Sequence, residues 1–399
     1  MLVVLICFVS CGKSFIVDII VLFVSEIGYH ISRVEALVSA KEIEVPACRA
    51  FGPYARFMHP DAVKHPAKFN VYLIEYLVDH YTKEGDVLLD PMAGTGVLGV
   101  IAALRGRNVI QVEIEPLFFE WMEYARKRVE EAQTLGRKGW IVNILGDSRE
   151  LRRLLSEVAE SISCVITSPP YAETISRSGG PPSQMIRSGQ FKIGQSCLAM
   201  RQYSPNPNNI GNLKLGDVAI IDHIITSPPY LRSFFVPTKM PQYEGGDLTR
   251  YHYMPQSSSN ISIIGYRNGL GNEQALSSVS TALSDEDIEN IRRKLMKNGK
   301  PTYLSEMLKV YREMWHVLKP GGNAIIVVKA YVRNWKPIDL PYITCRLCEI
   351  AGFRLVEVLK YRLRTMSFYR VLQKKRFQEK GLEFPKLLEY EYVLIFKKE

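Results

Sequence analysis

From Phe69 onward the apolar positions alternate between two rhythms. Residues 71–81 repeat apolar side chains at three- and four-residue spacing, the period of a helix with one buried face. After the turn Gly85-Asp86, the run Val87-Leu88-Leu89 reads as a short buried strand ending at Asp90. Pro91-Met92-Ala93-Gly94-Thr95-Gly96 is a glycine-bearing loop, and residues 97–105 return to helical spacing. Gly106-Arg107-Asn108 turns the chain into a second strand, 109–112, that ends at Glu113, and a helix follows over 116–132. A third strand, 141–145, ends at Gly146-Asp147 and leads into a helix over 148–160. A fourth, 164–166, runs into Thr167-Ser168-Pro169-Pro170-Tyr171. Regular spacing resumes at Pro301 with a helix over 302–318, a turn at Lys319-Pro320-Gly321-Gly322, a strand over 324–328, a helix over 339–351 and a strand over 391–397. Strands and helices alternating at this pitch predict an α/β fold: a doubly wound, mostly parallel, Rossmann-like sheet with long loop insertions.

The remainder of the chain lacks this rhythm. Residues 172–215 and 231–300 are rich in Gly, Ser, Pro, Asn and Tyr, and loops of that length are functional or unstructured. The chain therefore divides into an apolar N-terminal extension (1–50), a first half-sheet (51–171), insertions (172–300) and a second half-sheet with a basic tail (301–399). One repeat stands out: CVITSPPYAE at 164–173 recurs as HIITSPPYLR at 223–232. Each copy follows an Asn-Ile and Gly-Asp stretch, NILGDSREL at 143–151 and NIGNLKLGD at 209–217.

The first 45 residues are strongly apolar, yet Lys13 and Asp18 interrupt the run before it reaches the roughly 20 clean residues a membrane-spanning helix needs. A signal peptide's positive start and cleavage site are not clear either. Cys11-Gly12-Lys13-Ser14 resembles the end of a phosphate loop, but the required earlier glycine is replaced by Cys7. The segment is read as an accessory element outside the fold, and membrane attachment is not expected.

Charge and cysteine content narrow the setting. The 51 basic and 41 acidic residues leave a formal net charge of +10, which favours a polyanionic partner without naming it. Seven cysteines, an odd number with no framework of spacing, suggest a reducing cytoplasmic compartment. Cys345 and Cys348 form a lone CxxC, which without a second pair reads as two small core residues rather than a zinc site. No metal is expected.

The candidate chemistry gathers at strand ends. In an open α/β sheet ligands bind beyond the carboxyl ends of the strands, where Asp90, Glu113 and Asp147 fall in succession. A glycine loop leading into a helix brings free amides close to a ligand. Glu113 is placed to accept ribose hydroxyls, and Asp147 an adenine amino group. The double proline of TSPPY removes two donors and stiffens the bend, leaving carbonyl oxygens for a substrate amine. Ser168 adds an acceptor, and Tyr171 a ring on which a base can stack. An exocyclic amine is a poor nucleophile, because its lone pair is delocalised into the ring. Acceptors held off the ring plane favour the pyramidal nitrogen that attacks a sulfonium methyl directly.

The pieces HPAKFN, LDPMAGTG, VEIEP, GDSREL, TSPPY and VLKPGGNAIIVVK, spread over about half the chain, resemble the amino-methylating DNA methyltransferases, in an order similar to the family's γ arrangement. The resemblance implies S-adenosyl-L-methionine held by Lys68, Phe69, Asp90, Pro91, Ala93, Gly94, Gly96, Glu113 and Asp147. Catalysis falls to Ser168, Pro169, Pro170 and Tyr171, or to the alternate copy Ser227, Pro228, Pro229 and Tyr230. It implies double-stranded DNA as partner, with the target base flipped out of the stack, and a place for a cognate restriction endonuclease. A serine opening the motif points to cytosine N4. Adenine N6, and a base amine in tRNA or rRNA, are the alternatives, and an idle methyltransferase fold that only binds DNA is disfavoured by the intact motifs. Target recognition is assigned to Arg177, Arg187, Lys192, Arg201, Arg232, Lys239, Arg250 and Arg267 among tyrosines. Phosphate contact is assigned to Lys360, Arg362, Arg364, Arg370, Lys374, Lys375 and Arg376, with Tyr361, Phe368 and Tyr369.

Overall fold

The computed structural model describes residues 40–48, 50–64, 69–133, 139–158, 161–172, 206–221, 283–333, 336–363, 368–381 and 383–399. Residues 1–39, Lys68, the second TSPPY at 226–230, Arg364 and the eight arginines and lysines assigned to target recognition lie outside the described residues.

Seven strands carry the fold: β1 Val87–Asp90, β2 Asn108–Glu113, β3 Ile141–Leu145, β4 Ile162–Thr167, β5 Leu318–Val328, β6 Arg354–Arg362 and β7 Tyr390–Lys397. They lie side by side in the order β3-β2-β1-β4-β5-β7-β6. The first five are parallel, and β7 enters antiparallel between β5 and β6. Beyond β6, the Ile43 N–H donates to the Lys360 carbonyl at 2.9 Å. This is the expected doubly wound α/β sheet, and its strand order reverses between β1 and β4.

The helices are α1 Val71–Tyr81, α2 Val97–Leu104, α3 Pro116–Ala132, α4 Asp285–Leu295, α5 Tyr303–Val317, α6 Leu340–Ile350 and α7 Phe368–Glu379. α1, α2 and α3 bury Leu73, Leu77, Leu98, Ile101, Phe118 and Val129 in one core with Ile166, Ile325, Val327, Val393 and Ile395 of the sheet. Alternate residues of β5, Ile326 and Val328, are just as buried and face the other way. The strand is thus covered on both faces, which is why it reads as an unbroken apolar run. α5 is buried nearly all round, as a helix enclosed by other elements must be.

Three local expectations are corrected. The helix over 148–160 is a 3-10 turn, Ser148–Glu150, followed by only four helical residues, Leu151–Leu154. Little beyond Leu151 and Leu155 is apolar and buried there, and Arg152 is drawn across to Glu313 on α5 at 2.8 Å. Lys319-Pro320-Gly321-Gly322 is not a turn but part of β5. Gly321 takes a positive φ of 73°, and the ladder to β7 continues as Gly321 N–H donates to Lys398 O and Lys398 N–H to Gly322 O. α4 lies in a stretch read as aperiodic. It is capped by Ser284, opens on Asp285, Glu286 and Asp287, and closes on Arg292, Arg293 and Lys294, each end matching the helix dipole.

Gly96 closes the loop before α2 at φ 74°, and a Cβ there would sit 2.7 Å from the Met122 side chain. Gly96→Ala combines a left-handed backbone with overpacking and is expected to cost about 2–4 kcal/mol. Urea unfolding of the two proteins measures it; equal midpoints would contradict the assignment of Gly96 to a backbone role.

Candidate active site

The carboxyl ends of β1 to β4 surround a cavity of about 250 Å³. The glycine loop forms its floor. Ala93 N–H donates to Val112 O at 3.1 Å and Gly96 N–H to Ala93 O at 2.9 Å, so the loop folds back on itself and against β2. Gly94 has φ 54° and open space where a Cβ would stand. The cavity reaches that loop at Asp90, Pro91, Ala93 and Gly94; Gly96 sits behind it as the N-cap of α2.

Glu113 ties the loop to the second strand. Its Oε2 accepts the Gly94 N–H at 2.7 Å, and its Oε1 accepts the N–H groups of Ile114 and Glu115, each at 2.9 Å. Behind the loop a buried polar chain crosses the sheet. Gly99 N–H donates to Gln111, Gln111 to Asn143, and Asn143 to Glu123, at 2.9, 2.8 and 2.8 Å. The Ser148 hydroxyl donates to the Pro91 carbonyl and brings the third strand end against the first. Asp147 lines the cavity and receives Arg149 on both oxygens. Arg149 continues to Glu306 of α5 at 2.7 Å and to the Asn208 carbonyl at 3.1 Å.

TSPPY forms the far wall. Ser168, Pro169, Pro170 and Tyr171 all line the cavity, and Ser168, Pro170 and Tyr171 are half-buried. The buried Tyr303 hydroxyl donates to the Pro170 carbonyl at 2.8 Å. One of the carbonyls read as serving a substrate amine thus already carries a hydrogen bond. Tyr331 meets Tyr171 edge-on, with ring centroids 6.1 Å apart.

Several lining residues were not anticipated. Ile114 and Phe118 give the cavity an apolar side; Ile114 directly follows the strand-end acid, and Phe118 lies in the first turn of α3. Asn209 and Ile210 open the second Asn-Ile stretch, and Asn208 immediately precedes it. That stretch does not repeat the structure of the first: Asn143 sits in β3, whereas Asn209 caps a 3-10 turn and donates to Glu115 at 3.1 Å. Lys329 and Glu391 reach the cavity from β5's end and β7; Lys329 closes the motif VLKPGGNAIIVVK without having been assigned to the site, and nothing local in the sequence marks Glu391. Of the basic tail, Tyr361 is buried, and Arg362 and Lys374 both pair with Glu389. Lys375 and Arg376 remain exposed. Among the described residues no group of side chains could hold a metal ion, and no helix is long and apolar enough to cross a membrane.

Residues 36–125, which include α1, the glycine loop and β2, match the family model described as DNA methylase. The chain is 44% identical over 69 residues to Type II methyltransferase M2.DpnII of Streptococcus pneumoniae, covering 17% of this chain and 25% of that protein. It is 37% identical over 75 residues to Type II methyltransferase M2.LlaDCHI of Lactococcus lactis subsp. cremoris, covering 19% and 27%. The chain thus spans about a quarter of the length of these curated relatives. The tRNA (guanine(10)-N2)-dimethyltransferase of Methanothermobacter thermautotrophicus is 30% identical over 128 residues, or 30% of this chain and 34% of that one. A methyltransferase structure from Methanosarcina mazei overlaps 81% of this chain and 96% of its own at 11% identity and a TM-score of 0.34; the fold assignment rests on the strand order instead.

The cavity fits S-adenosyl-L-methionine. Gly94 leaves room for close approach, Ile114 and Phe118 offer faces for a purine ring, and acids stand at three successive strand ends.

Burial pushes the Asp90 and Glu113 carboxyls up to about 7, although backbone amides pull each the other way. The folded protein therefore holds these protons where the unfolded chain has released them. That contribution to stability is complete below the ordinary carboxylate range and fades as pH rises through 7. Glu113→Gln cannot titrate. The unfolding free energy of the ligand-free wild type, measured relative to the variant at pH 5 and pH 8, is expected to fall by about 2–3 kcal/mol. Parallel curves would show that Glu113 is already ionised at pH 5.

Proposed function

We propose that this protein transfers a methyl group from S-adenosyl-L-methionine to an exocyclic amino group of a base in DNA, with cytosine N4 as the target. One observation carries the reading: a single cavity joins the glycine loop and strand-end acids to the TSPPY turn, so that a methyl donor and a planar amine can meet in it. The donor, when bound, supplies an electrophilic methyl on a positively charged sulfur. The protein supplies the geometry. Ser168 and the remaining carbonyls of the turn accept from the amine, and Tyr171 offers a ring for stacking. An amine inside a stacked duplex cannot reach this wall, so the base must leave the stack. The net charge of +10 suits a nucleic-acid partner. The serine before the double proline, Ser168, favours cytosine over adenine within the family the chain resembles. A cytoplasmic location suits that partner and the odd cysteine count without a framework of spacing.

Transfer of tritiated methyl to duplex DNA and to tRNA, followed by nucleoside analysis, tests the reading. N4-methylcytosine in DNA is expected; N6-methyladenine would correct the base, and label in tRNA alone would replace the substrate. Ser168→Ala is expected to lower the rate by about 10–100-fold, and Ser227→Ala to leave it within about twofold. The reverse pattern would move catalysis to the second TSPPY.

A further inference from the structure

Methylation of an amine leaves one proton too many on nitrogen, and TSPPY brings no ionisable carboxylate to receive it. Four acids line the cavity: Asp90, Glu113, Asp147 and Glu391. Three stand at the glycine-loop end and are engaged there, Asp90 by the Met92 N–H, Glu113 by three amides and Asp147 by Arg149. Glu391 stands apart from them. Among the described residues it is the lining acid contributed by β7, and its neighbours place it beside the TSPPY wall. Lys329, whose Nζ lies 3.7 Å from Glu391 Oε1, also lies 5.6 Å from the centre of the Tyr171 ring.

Cross-strand register accounts for this placement. β7 runs between β5 and β6, and residues opposite one another on neighbouring strands share a face. Glu391 is paired with Tyr361 on β6, and Tyr392 with Val328 on β5, so the Lys329 position follows next to Glu391 on its other side. The Tyr361 hydroxyl donates to Glu391 Oε2. The carboxylate is 13% exposed and is held from two sides, by a cation on one oxygen and a buried phenol on the other. It has restricted freedom and an open path into the cavity.

We propose that Glu391 is the proton acceptor of the methyl-transfer reaction, positioned by Lys329 and Tyr361; the assignment rests on the function proposed above. The amine lone pair forms the new N–C bond, and the C–S bond of the sulfonium donor breaks with its electron pair left on sulfur. One N–H proton then passes to the Glu391 carboxylate and on to water. Lys329 holds the carboxylate turned toward the amine. Tyr361 fixes the oxygen that does not take the proton.

Single-turnover methyl transfer, with donor and DNA both saturating, tests the assignment. Glu391→Gln keeps the shape and the Tyr361 hydrogen bond. It is expected to slow transfer about 100-fold, with donor and DNA affinities within about twofold of wild type. In Glu391→Ala, added formate is expected to restore at least about a tenth of the lost rate, a rescue that Ser168→Ala should not show. A Gln variant that transfers within twofold of wild type overturns the assignment. Should that variant lose donor affinity, Tyr361→Phe carries the test, since it frees one carboxylate oxygen and leaves the charge. A drop of about fivefold or more in transfer, at unchanged DNA affinity, supports the role, and an unchanged rate overturns it. A wild type that methylates no nucleic acid defeats the function proposed above, and the present inference with it. A wild type that methylates DNA beside a fully active Gln variant defeats the present inference alone.

Discussion

The carboxylate of Glu113 is the knot that holds the site together. Three amides from two loops converge on it, Gly94 from the turn after β1 and Ile114 and Glu115 from the turn after β2. A buried carboxyl with no partners is costly, and one that accepts several amides both satisfies itself and immobilises its donors. Because the donors come from different strand ends, the glycine loop cannot move independently of β2. The Gly99–Gln111–Asn143–Glu123 chain repeats the arrangement one layer deeper and carries it to β3 and α3. The loop is thus held by contacts that the protein itself supplies.

A second set of charges ties the two halves of the chain. Arg149, just past the third strand, spans Asp147, Glu306 on α5 and the Asn208 carbonyl. Glu306 is also held by Arg292 of α4 at 2.8 Å. Both carboxylates are thereby neutralised in a place where water reaches poorly, and the asparagine-rich 206–212 segment is fastened over the cavity. Asn206 and Asn209 donate to the Ile114 carbonyl and to Glu115. Short polar side chains suit such a strap because they satisfy backbone groups that a loop cannot pair by itself.

The α/β pattern was legible because burial on both faces leaves continuous apolar runs in the strands, and one-sided burial leaves three- and four-residue spacing in the helices. α1, α3 and β3 begin and end where the spacing does. Glycine-loop and TSPPY residues were readable because each rests on local backbone chemistry: positive φ in the one, missing donors in the other. α4 escaped notice although its cap and end charges are written in Ser284–Lys294, because the surrounding polar composition obscured three buried residues, Ile288, Ile291 and Leu295. The KPGG strand was misread because glycine and proline signal a turn locally, whereas here pairing with β7 continues the ladder past them.

By itself, then, the sequence determined the alternation of strand and helix, the parallel half-sheet, and the acids and glycines at its carboxyl edge. All of these depend on neighbours within a few residues, where side-chain period and backbone freedom decide the outcome. Only the tertiary structure decided that Tyr303 would take the Pro170 carbonyl, that Asn208–Ile210 would line the cavity, and that Lys329 and Glu391 would reach it from opposite strands. Those contacts join residues 62 to 133 positions apart. The Lys329–Glu391 contact exists because β7 turns antiparallel and slots between β5 and β6, an event of sheet closure that leaves no periodic trace in the chain.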